Sequence, residues 1–219
     1  MAVILNLETA TKNCSVAIAR DGNTIAIKEF AGEGYTHAEK LHVFIEDVLK
    51  ESGLTYNDLH AVAVSMGPGS YTGLRIGVSG AKGLCYALDL PLIAIDTLEL
   101  LARKITINDG VIIPMIDARR MEAYTAVFDK DYSKLRETKA EIIGEGFFDE
   151  ILDTIHLVGD GALKYYEVLP AGKFVYHENV IYPSAGEMGI LSFEKYKKSD
   201  TVDVAYFEPF YLKDFIAGK

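Results

Sequence analysis

Four glycines in one apolar segment constrain this chain more than any other feature. Gly73, Gly77, Gly80 and Gly83 recur in a segment that otherwise reads as a helix running from the Gly67–Gly73 turn to about Leu88. An interior Gly costs a helix about 1 kcal/mol against Ala, so Gly77, Gly80 and Gly83 together cost about 3 kcal/mol. Close backbone packing must offset that. At about 100° per residue, Arg75, Ser79, Lys82 and Tyr86 share a narrow polar stripe, and Leu74, Val78, Ala81, Cys85 and Leu88 form an aliphatic face. The glycines share a third face with Ile76, Leu84 and Ala87. A helix apolar almost all round is covered on two sides. One cover is a sheet of its own lobe. The other is either more of that lobe or a helix of a partner, and the sequence leaves both open.

The neighbouring helix shows the same surplus. Thr36-His37-Ala38-Glu39 reads as a capping box, and Gly53 closes the helix. Ala38, Leu41, His42, Phe44, Ile45, Val48 and Leu49 cover an arc of about 160°, where a surface helix needs about 100°. The excess is expected to pair with the spare face of the glycine helix and with a partner.

Around these helices the chain spells an α/β pattern. Residues 3–8, 14–20 and 24–30 read as strands, with Asp21-Gly22 as a hairpin turn. Then come the capped helix, a strand at 60–66, the glycine helix, a strand at 92–95 and a helix at 98–105. The second half repeats the pattern: strands at 111–116, 121–128 and 134–143, a helix at 147–155, a strand at 157–158, a helix at 163–169, a strand at 174–176 and a helix at 186–197. Both halves are βββαβαβα, a mixed sheet with helices on its faces. The expectation is two such lobes, 1–106 and 107–219, facing each other across a cleft.

Composition bounds the function. Of 219 residues 49% are hydrophobic and 25% charged, enough apolar content for a packed core. With 32 acidic and 22 basic residues the net charge is −10. Such a chain is a poor stand-alone nucleic-acid binder, because phosphate neutralisation needs clustered Lys and Arg. If it works on RNA, a more basic partner is expected to hold the RNA. Cys14 and Cys85 have no CxxC or metal-ligand spacing and read as reduced cytosolic thiols, which implies a cytoplasmic protein. No apolar run approaches the roughly 18 residues of a membrane span. The segment Met1-Ala2-Val3-Ile4-Leu5-Asn6 reads as a first strand, not a signal peptide.

The candidate chemistry lies in two turns. Gly67-Pro68-Gly69-Ser70-Tyr71-Thr72-Gly73 joins a strand to a helix N-terminus, a geometry that suits anions. Its spacing is neither a Rossmann fingerprint, nor a Walker A loop, nor a nucleophile elbow. Glu8 ends the first strand of one lobe and Asp117 that of the other, so the repeat places both acids at the cleft, with Thr9 and Thr11 beside Glu8. Glu8, Thr9, Thr11, Gly67, Gly69, Ser70 and Asp117 thus form a candidate vestigial nucleotide cleft, where a pair of acids could hold Mg²⁺ on a nucleotide. Against it, Asp117-Ala118-Arg119-Arg120 lacks the glycines that bring backbone close to phosphates, and its arginines suit carboxylates or phosphate instead. His37 and His42 are five apart, about 140° on a helix, and cannot chelate one metal as an i, i+4 pair does. No metal site and no catalytic residue is read, and no cofactor is expected.

The residues then match something specific. Residues 4–11, Ile-Leu-Asn-Leu-Glu-Thr-Ala-Thr, with Cys14-Ser15-Val16-Ala17, resemble the opening of the TsaB family, also called YeaZ. The run from Gly67 through Leu74-Arg75-Ile76-Gly77 resembles its most distinctive motif. Ile116-Asp117-Ala118-Arg119 with Glu122 and Tyr124 resembles its second-lobe signature, and Glu208-Pro209, Tyr211-Leu212 and Lys213 its C-terminal element. The family usually has Asp where this chain has Glu8, and often Gly soon after the arginine matching Arg119, where this chain has Arg120 and Met121.

The resemblance implies an actin-like ATPase fold, of ribonuclease H-like lobes related to Hsp70 and sugar kinases. It implies a non-catalytic subunit in making N6-threonylcarbamoyladenosine at position 37 of tRNA. A TsaD-like transferase subunit carries the metal and the activity, and a TsaE-like P-loop ATPase joins the pair. It further implies docking through the first-lobe helices, and a homodimer through the same surface when the chain is alone. The partner-binding set is then Leu41, Phe44, Ile45, Val48, Gly73, Ile76, Gly77, Gly80, Gly83, Leu84 and Ala87. Arg75 and Lys82, about two turns apart on the polar stripe, are a candidate edge for tRNA held only within the complex. The competing classes are a kinase or ATPase of the same fold, which needs two Gly-flanked acids, and a glycoprotease-like metallopeptidase, which needs paired histidines on one helix face.

Overall fold

The structure is a computed structural model that describes residues 1–32, 36–170 and 172–213. The first sheet is built from β1 (Val3–Glu8), β2 (Asn13–Arg20), β3 (Asn23–Ala31), β4 (Ala61–Gly67) and β5 (Leu92–Asp96), in the order β3-β2-β1-β4-β5. The second is built from β6 (Val111–Asp117), β7 (Glu122–Phe128), β8 (Lys134–Ile142), β9 (Ile155–Val158) and β10 (Phe174–Tyr176), in the order β10-β9-β6-β7-β8. Counted by its own strands, each sheet runs 3-2-1-4-5. In each, the first three strands pair antiparallel and the last two join in parallel. The repeat read from the sequence is therefore a repeat of topology, two mixed sheets of one strand order in an α/β chain.

The first unit comprises Met1–Thr97 and Pro183–Phe210. Asp21 and Gly22, at φ 48° and 86°, make the tight β2–β3 turn that Asp-Gly favours. β1 is buried along its whole length, so both faces of the sheet are covered. Val3, Leu5 and Leu7 point to the helices α1 (His37–Ser52) and α2 (Tyr71–Leu88), where Leu41, Ile45, Val48, Val78, Ala81 and Cys85 complete the core. The opposite face takes α4 (Met188–Lys197). Gly189 of α4 sits so close that a Cβ there would lie 2.8 Å from the Gly22 carbonyl oxygen. Both thiols are buried, and burial pushes each up to about 11.

The second unit comprises Leu98–Tyr182 and the chain from Tyr211 on. α3 (Thr97–Ala102) supplies Leu98, Leu101 and Ala102, which pack on Ile112, Ile116, Phe128 and Val158. The other face is closed by Phe148, Tyr165, Leu169 and Phe174.

Four expectations are corrected. The boundary at 106/107 does not hold, because the helix after the fifth strand of each sheet belongs to the other unit: α3 to the second, α4 to the first. Residues 147–155 are not a helix. Gly144 and Gly146 stand just ahead of the run, Gly146 at φ 73°, and Phe147, Asp149 and Ile151 donate to the carbonyls three residues back, as a chain of turns. Residues 163–169 shorten to a 3₁₀ turn, Ala162–Tyr165, with Leu163 exposed and only Tyr165 and Leu169 anchored in the core. At α1, Gly53 closes the helix at φ 68°, as its position suggests. The capping box does not form: Thr36, at ψ 14°, lacks the extended backbone that turns a cap hydroxyl onto the first turn.

Candidate functional site

The N-terminal half of α2 is locked onto the turn between β1 and β2. Ser70 caps the helix, its Oγ accepting the Gly73 N–H at 3.3 Å, and its own N–H donates to the Ala10 carbonyl at 2.6 Å. Thr9 Oγ1 donates to the Gly73 carbonyl at 2.8 Å, and the Ala10 N–H donates to Glu8 Oε1 at 2.5 Å. A Cβ on Gly73 would lie 2.1 Å from the Thr9 carbonyl oxygen, and one on Gly69 2.3 Å from that of Ala10. These glycines are there because two backbones meet. From α1, His37 Nε2–H donates to the Thr11 carbonyl at 2.8 Å. Burial holds the His37 imidazole below its ordinary pKa, partly offset by that bond.

The candidate nucleotide residues divide accordingly. Glu8, Thr9, Thr11 and Gly67 are buried in this knot of the first unit, with Gly69 and Ser70 half-buried beside them. Two N–H groups that would greet a phosphate, those of Ser70 and Gly73, are already committed. Gly67, at φ 112°, is covered by the chain at Phe210, whose N–H donates to the Met66 carbonyl at 2.7 Å. Asp117 lies in the second unit, where it is exposed and paired with Lys164 at 2.5 Å. Lys164 also donates to the Glu122 carbonyl at 2.9 Å, Lys213 binds the Glu122 carboxylate, and Tyr165 Oη donates to the Met121 carbonyl at 3.0 Å. Burial first, then Asp117 and Glu122, pushes the Tyr165 hydroxyl up to about 12.

The partner-binding set also divides. Leu41, Ile45 and Val48 are fully buried in the first unit's own core and offer no contact surface. Gly73 and Gly77 face Thr9, not a partner, for the backbone reason just given; a Cβ on Gly77 would lie 2.2 Å from Thr9 Oγ1. Phe44, Ile76 and Leu84 are half-buried at the edge of that core, and Gly80 lies over Leu41 and His42. Gly83 has open space where a Cβ would be, and Ala87 is exposed. Beside them stand two large apolar residues outside the set expected from the sequence, Val43 at 54% exposure and Tyr86 at 88%. Both sit on the polar side of an amphipathic helix, which was the available signal. The outer face of α1 and α2 thus exposes four apolar residues, Val43 on α1 and Gly83, Tyr86 and Ala87 on α2, among polar and charged neighbours such as Glu46, Asp47, Arg75 and Ser79.

Of the candidate tRNA edge, Arg75 is exposed and stacks its guanidinium 4.1 Å over the Tyr71 ring. Lys82 is not a free cation. Its Nζ donates to the carbonyls of Ala205 at 2.9 Å and Phe207 at 3.2 Å. It thereby ties the segment 202–210 to α2, a strap that begins with a bridge from Val202 to Leu92 and packs Val202, Val204 and Phe207 on the core. Among the described residues no group of three or more His, Cys, Asp or Glu is arranged to hold a metal ion. Nor is any described helix long and apolar enough to cross a membrane.

Comparison with known proteins places this geometry. A family model described as "TsaD: tRNA N6-adenosine threonylcarbamoyltransferase" matches residues 34–206. The chain is 31% identical over 226 residues to "tRNA threonylcarbamoyladenosine biosynthesis protein TsaB" of Escherichia coli, covering 99% of this chain and 96% of that protein. It is 30% identical over 235 residues to the protein of the same name from Haemophilus influenzae, covering 99% and 95%. In structure it resembles YeaZ from Pseudomonas aeruginosa, with a TM-score of 0.85 at 24% identity over 97% of this chain and 100% of the other.

Proposed function

The chain belongs to the TsaB (YeaZ) family, and from that premise we propose that it is a non-catalytic subunit in tRNA threonylcarbamoyladenosine biosynthesis that binds and activates a TsaD-like transferase. The observation that carries the docking part is the outer face of α1 and α2, where Val43, Gly83, Tyr86 and Ala87 leave apolar surface in water. Exposed apolar area of this kind is stabilised by burial against a partner. Small residues let a partner helix approach closely, and the tyrosine supplies an anchor. A partner that shares this fold, as the match to the TsaD family model suggests, presents helices of matching shape. Phe44, Ile76, Gly80 and Leu84 form the floor of the surface. The same face pairs two copies of the chain when the transferase is absent.

In this reading the chemistry belongs to the TsaD-like subunit. A TsaE-like P-loop ATPase joins the pair, and tRNA is held only by the assembly. The packed turn around Glu8, with its committed N–H groups, supports a scaffold rather than a phosphate cradle.

Reconstitution tests it. The chain mixed with a TsaD-like subunit, a TsaE-like ATPase, threonylcarbamoyl-adenylate and tRNA is expected to give modified tRNA only when it is present. Alone, it is expected neither to hydrolyse ATP nor to cleave protein. Robust ATP turnover by the chain alone that disappears in Glu8→Ala or Asp117→Ala would overturn the reading in favour of a kinase-like enzyme.

A further inference from the structure

The hairpin joining β6 to β7 ends in two consecutive left-handed residues that are not glycine, Arg119 at φ 66° and Arg120 at φ 55°. Side chains with a Cβ disfavour that region, and a turn of this kind ordinarily takes Asn or Gly. Met121 follows, and all three residues are exposed. The tip is nevertheless held firmly from below. The Arg119 N–H donates to Asp117 Oδ1 at 2.8 Å, and the Ala118 N–H to the Glu122 carbonyl at 3.1 Å. Lys164, Tyr165 and Lys213 reach in from other segments to the carbonyls of Glu122, Met121 and Ala118.

The charges at the tip are sorted as well. Lys164 pairs with Asp117 and Lys213 with Glu122. Neither the Arg119 nor the Arg120 guanidinium makes an ion pair among the described residues. A strained turn, fastened by three side chains, thus presents on adjacent residues two guanidiniums that pair with no described residue. Strain that the surroundings hold in place marks a site with a use.

We propose that the Arg119–Arg120 tip docks on the phosphate backbone of an RNA. Guanidinium forks match phosphate oxygens in geometry and stay charged at any physiological pH. The remainder of a chain with net charge −10 repels a polyanion, so its contact with RNA is confined to a protrusion with its own positive charge. A convex tip encloses neither base nor ribose, which favours an extended backbone over a mononucleotide. The contact carries no sequence information, because phosphate contacts position and base contacts specify. The inference rests on the reading above, that tRNA meets this chain within an assembly, and it names where.

Two measurements decide it. In the assembled complex, tRNA retention is followed by filter binding across a salt series for the unchanged chain, for Arg119→Gly/Arg120→Gly and for Arg119→Lys/Arg120→Lys. The glycine variant is expected to weaken retention and flatten the salt slope by about 2, one for each phosphate that no longer meets a guanidinium. It is also expected to raise the chain's Tm as the left-handed strain is relieved, and to leave subunit pairing intact. The lysine variant is expected to keep the slope. Retention and slope unchanged in the glycine variant would overturn the proposal, and so would loss of subunit pairing with tRNA binding intact, which would make the tip a protein contact.

The second measurement is NMR of the isolated chain at low salt, with an RNA stem-loop and with inorganic tripolyphosphate. Shifts confined to residues 117–122 and larger with RNA are expected. Equal shifts with tripolyphosphate would mean a small-anion site, and no shift would mean no site; both overturn the proposal. If the unchanged complex retains no tRNA, the functional reading above fails, and the NMR arm still decides the tip.

Discussion

The two sheets share one strand order but carry different connections. In the first unit the crossovers on either side of β4 are the full helices α1 and α2. In the second the corresponding stretches, on either side of β9, are a chain of turns around Phe148 and a 3₁₀ turn of four residues. A 3-2-1-4-5 sheet therefore does not require long helices to form. A few anchors such as Phe148, Tyr165 and Leu169 close a face of the second sheet. Long helices in the first unit cover the same kind of face and leave apolar surface over, at Val43, Gly83 and Tyr86. The surplus is what a partner can use.

Substitutions at matching crossovers sharpen that contrast. Leu41→Ala removes a fully buried side chain of α1 and is expected to cost about 2–5 kcal/mol. Leu163→Ala, in the 3₁₀ turn of the second unit and 45% exposed, is expected to stay within about 0.5 kcal/mol. Urea unfolding of both variants reads the difference, and equal losses would remove the distinction between packed and minimal crossovers.

A smaller pair of effects lies within α2. Gly77→Ala drives a Cβ against Thr9 Oγ1, an overpacking expected to cost about 1–3 kcal/mol. Gly83→Ala meets open space in a helix interior and is expected to stabilise by about 1 kcal/mol. Opposite signs in thermal melts are the expected result. If both destabilise, the C-terminal half of α2 is as tightly covered as the N-terminal half.

The smallest effect is a dependence on pH. Burial holds both His37, in the first unit, and His177, in the second, below the ordinary 6.5, and for His177 the charge of His156 adds to it. His156 Nδ1 and His177 Nε2 are 3.0 Å apart, within hydrogen-bond distance. A histidine depressed in the folded state contributes stability that is present above the unfolded value and is lost as pH falls through the folded one. Stability is therefore expected to decline from about pH 6.5 downward. His37→Gln and His177→Gln should each flatten that decline. A decline unchanged in both variants would assign it to other groups.

The first sheet, its hairpin at Asp21-Gly22, the Gly53 stop and the close backbone approach at Gly73 and Gly77 were legible in the sequence, because each rests on a local requirement: period, turn chemistry or a costly glycine. The exchange of α3 and α4 between the units was not, since an amphipathic pattern says that a face is buried but not against which sheet. For the same reason Leu41, Ile45 and Val48 read as contact residues and proved to be core. The apolar arc of α1 is wide, yet its buried part is the centre of that arc and its available part the margin. Gly73 and Gly77 read as a partner face because close backbone approach was correctly inferred while the approaching backbone, that of Thr9, was not. Lys82 looked like free charge because nothing local marks the strap whose carbonyls it holds. At the Arg119–Arg120 tip the missing glycine was legible, but its left-handed geometry and its fastening by Lys164 and Lys213 are tertiary facts.

The central claim is that the outer face of α1 and α2 is the surface by which this chain holds its transferase partner. The most direct test titrates a TsaD-like subunit against the unchanged chain and against Val43→Asp/Tyr86→Asp, with Kd from calorimetry and fold from circular dichroism. Both side chains are exposed, so the variant is expected to keep its spectrum and its Tm within a few degrees. Its affinity is expected to fall about thirty-fold or more, the loss that follows when an aromatic anchor at the centre of an interface is removed. An unchanged Kd in a folded variant would contradict the claim.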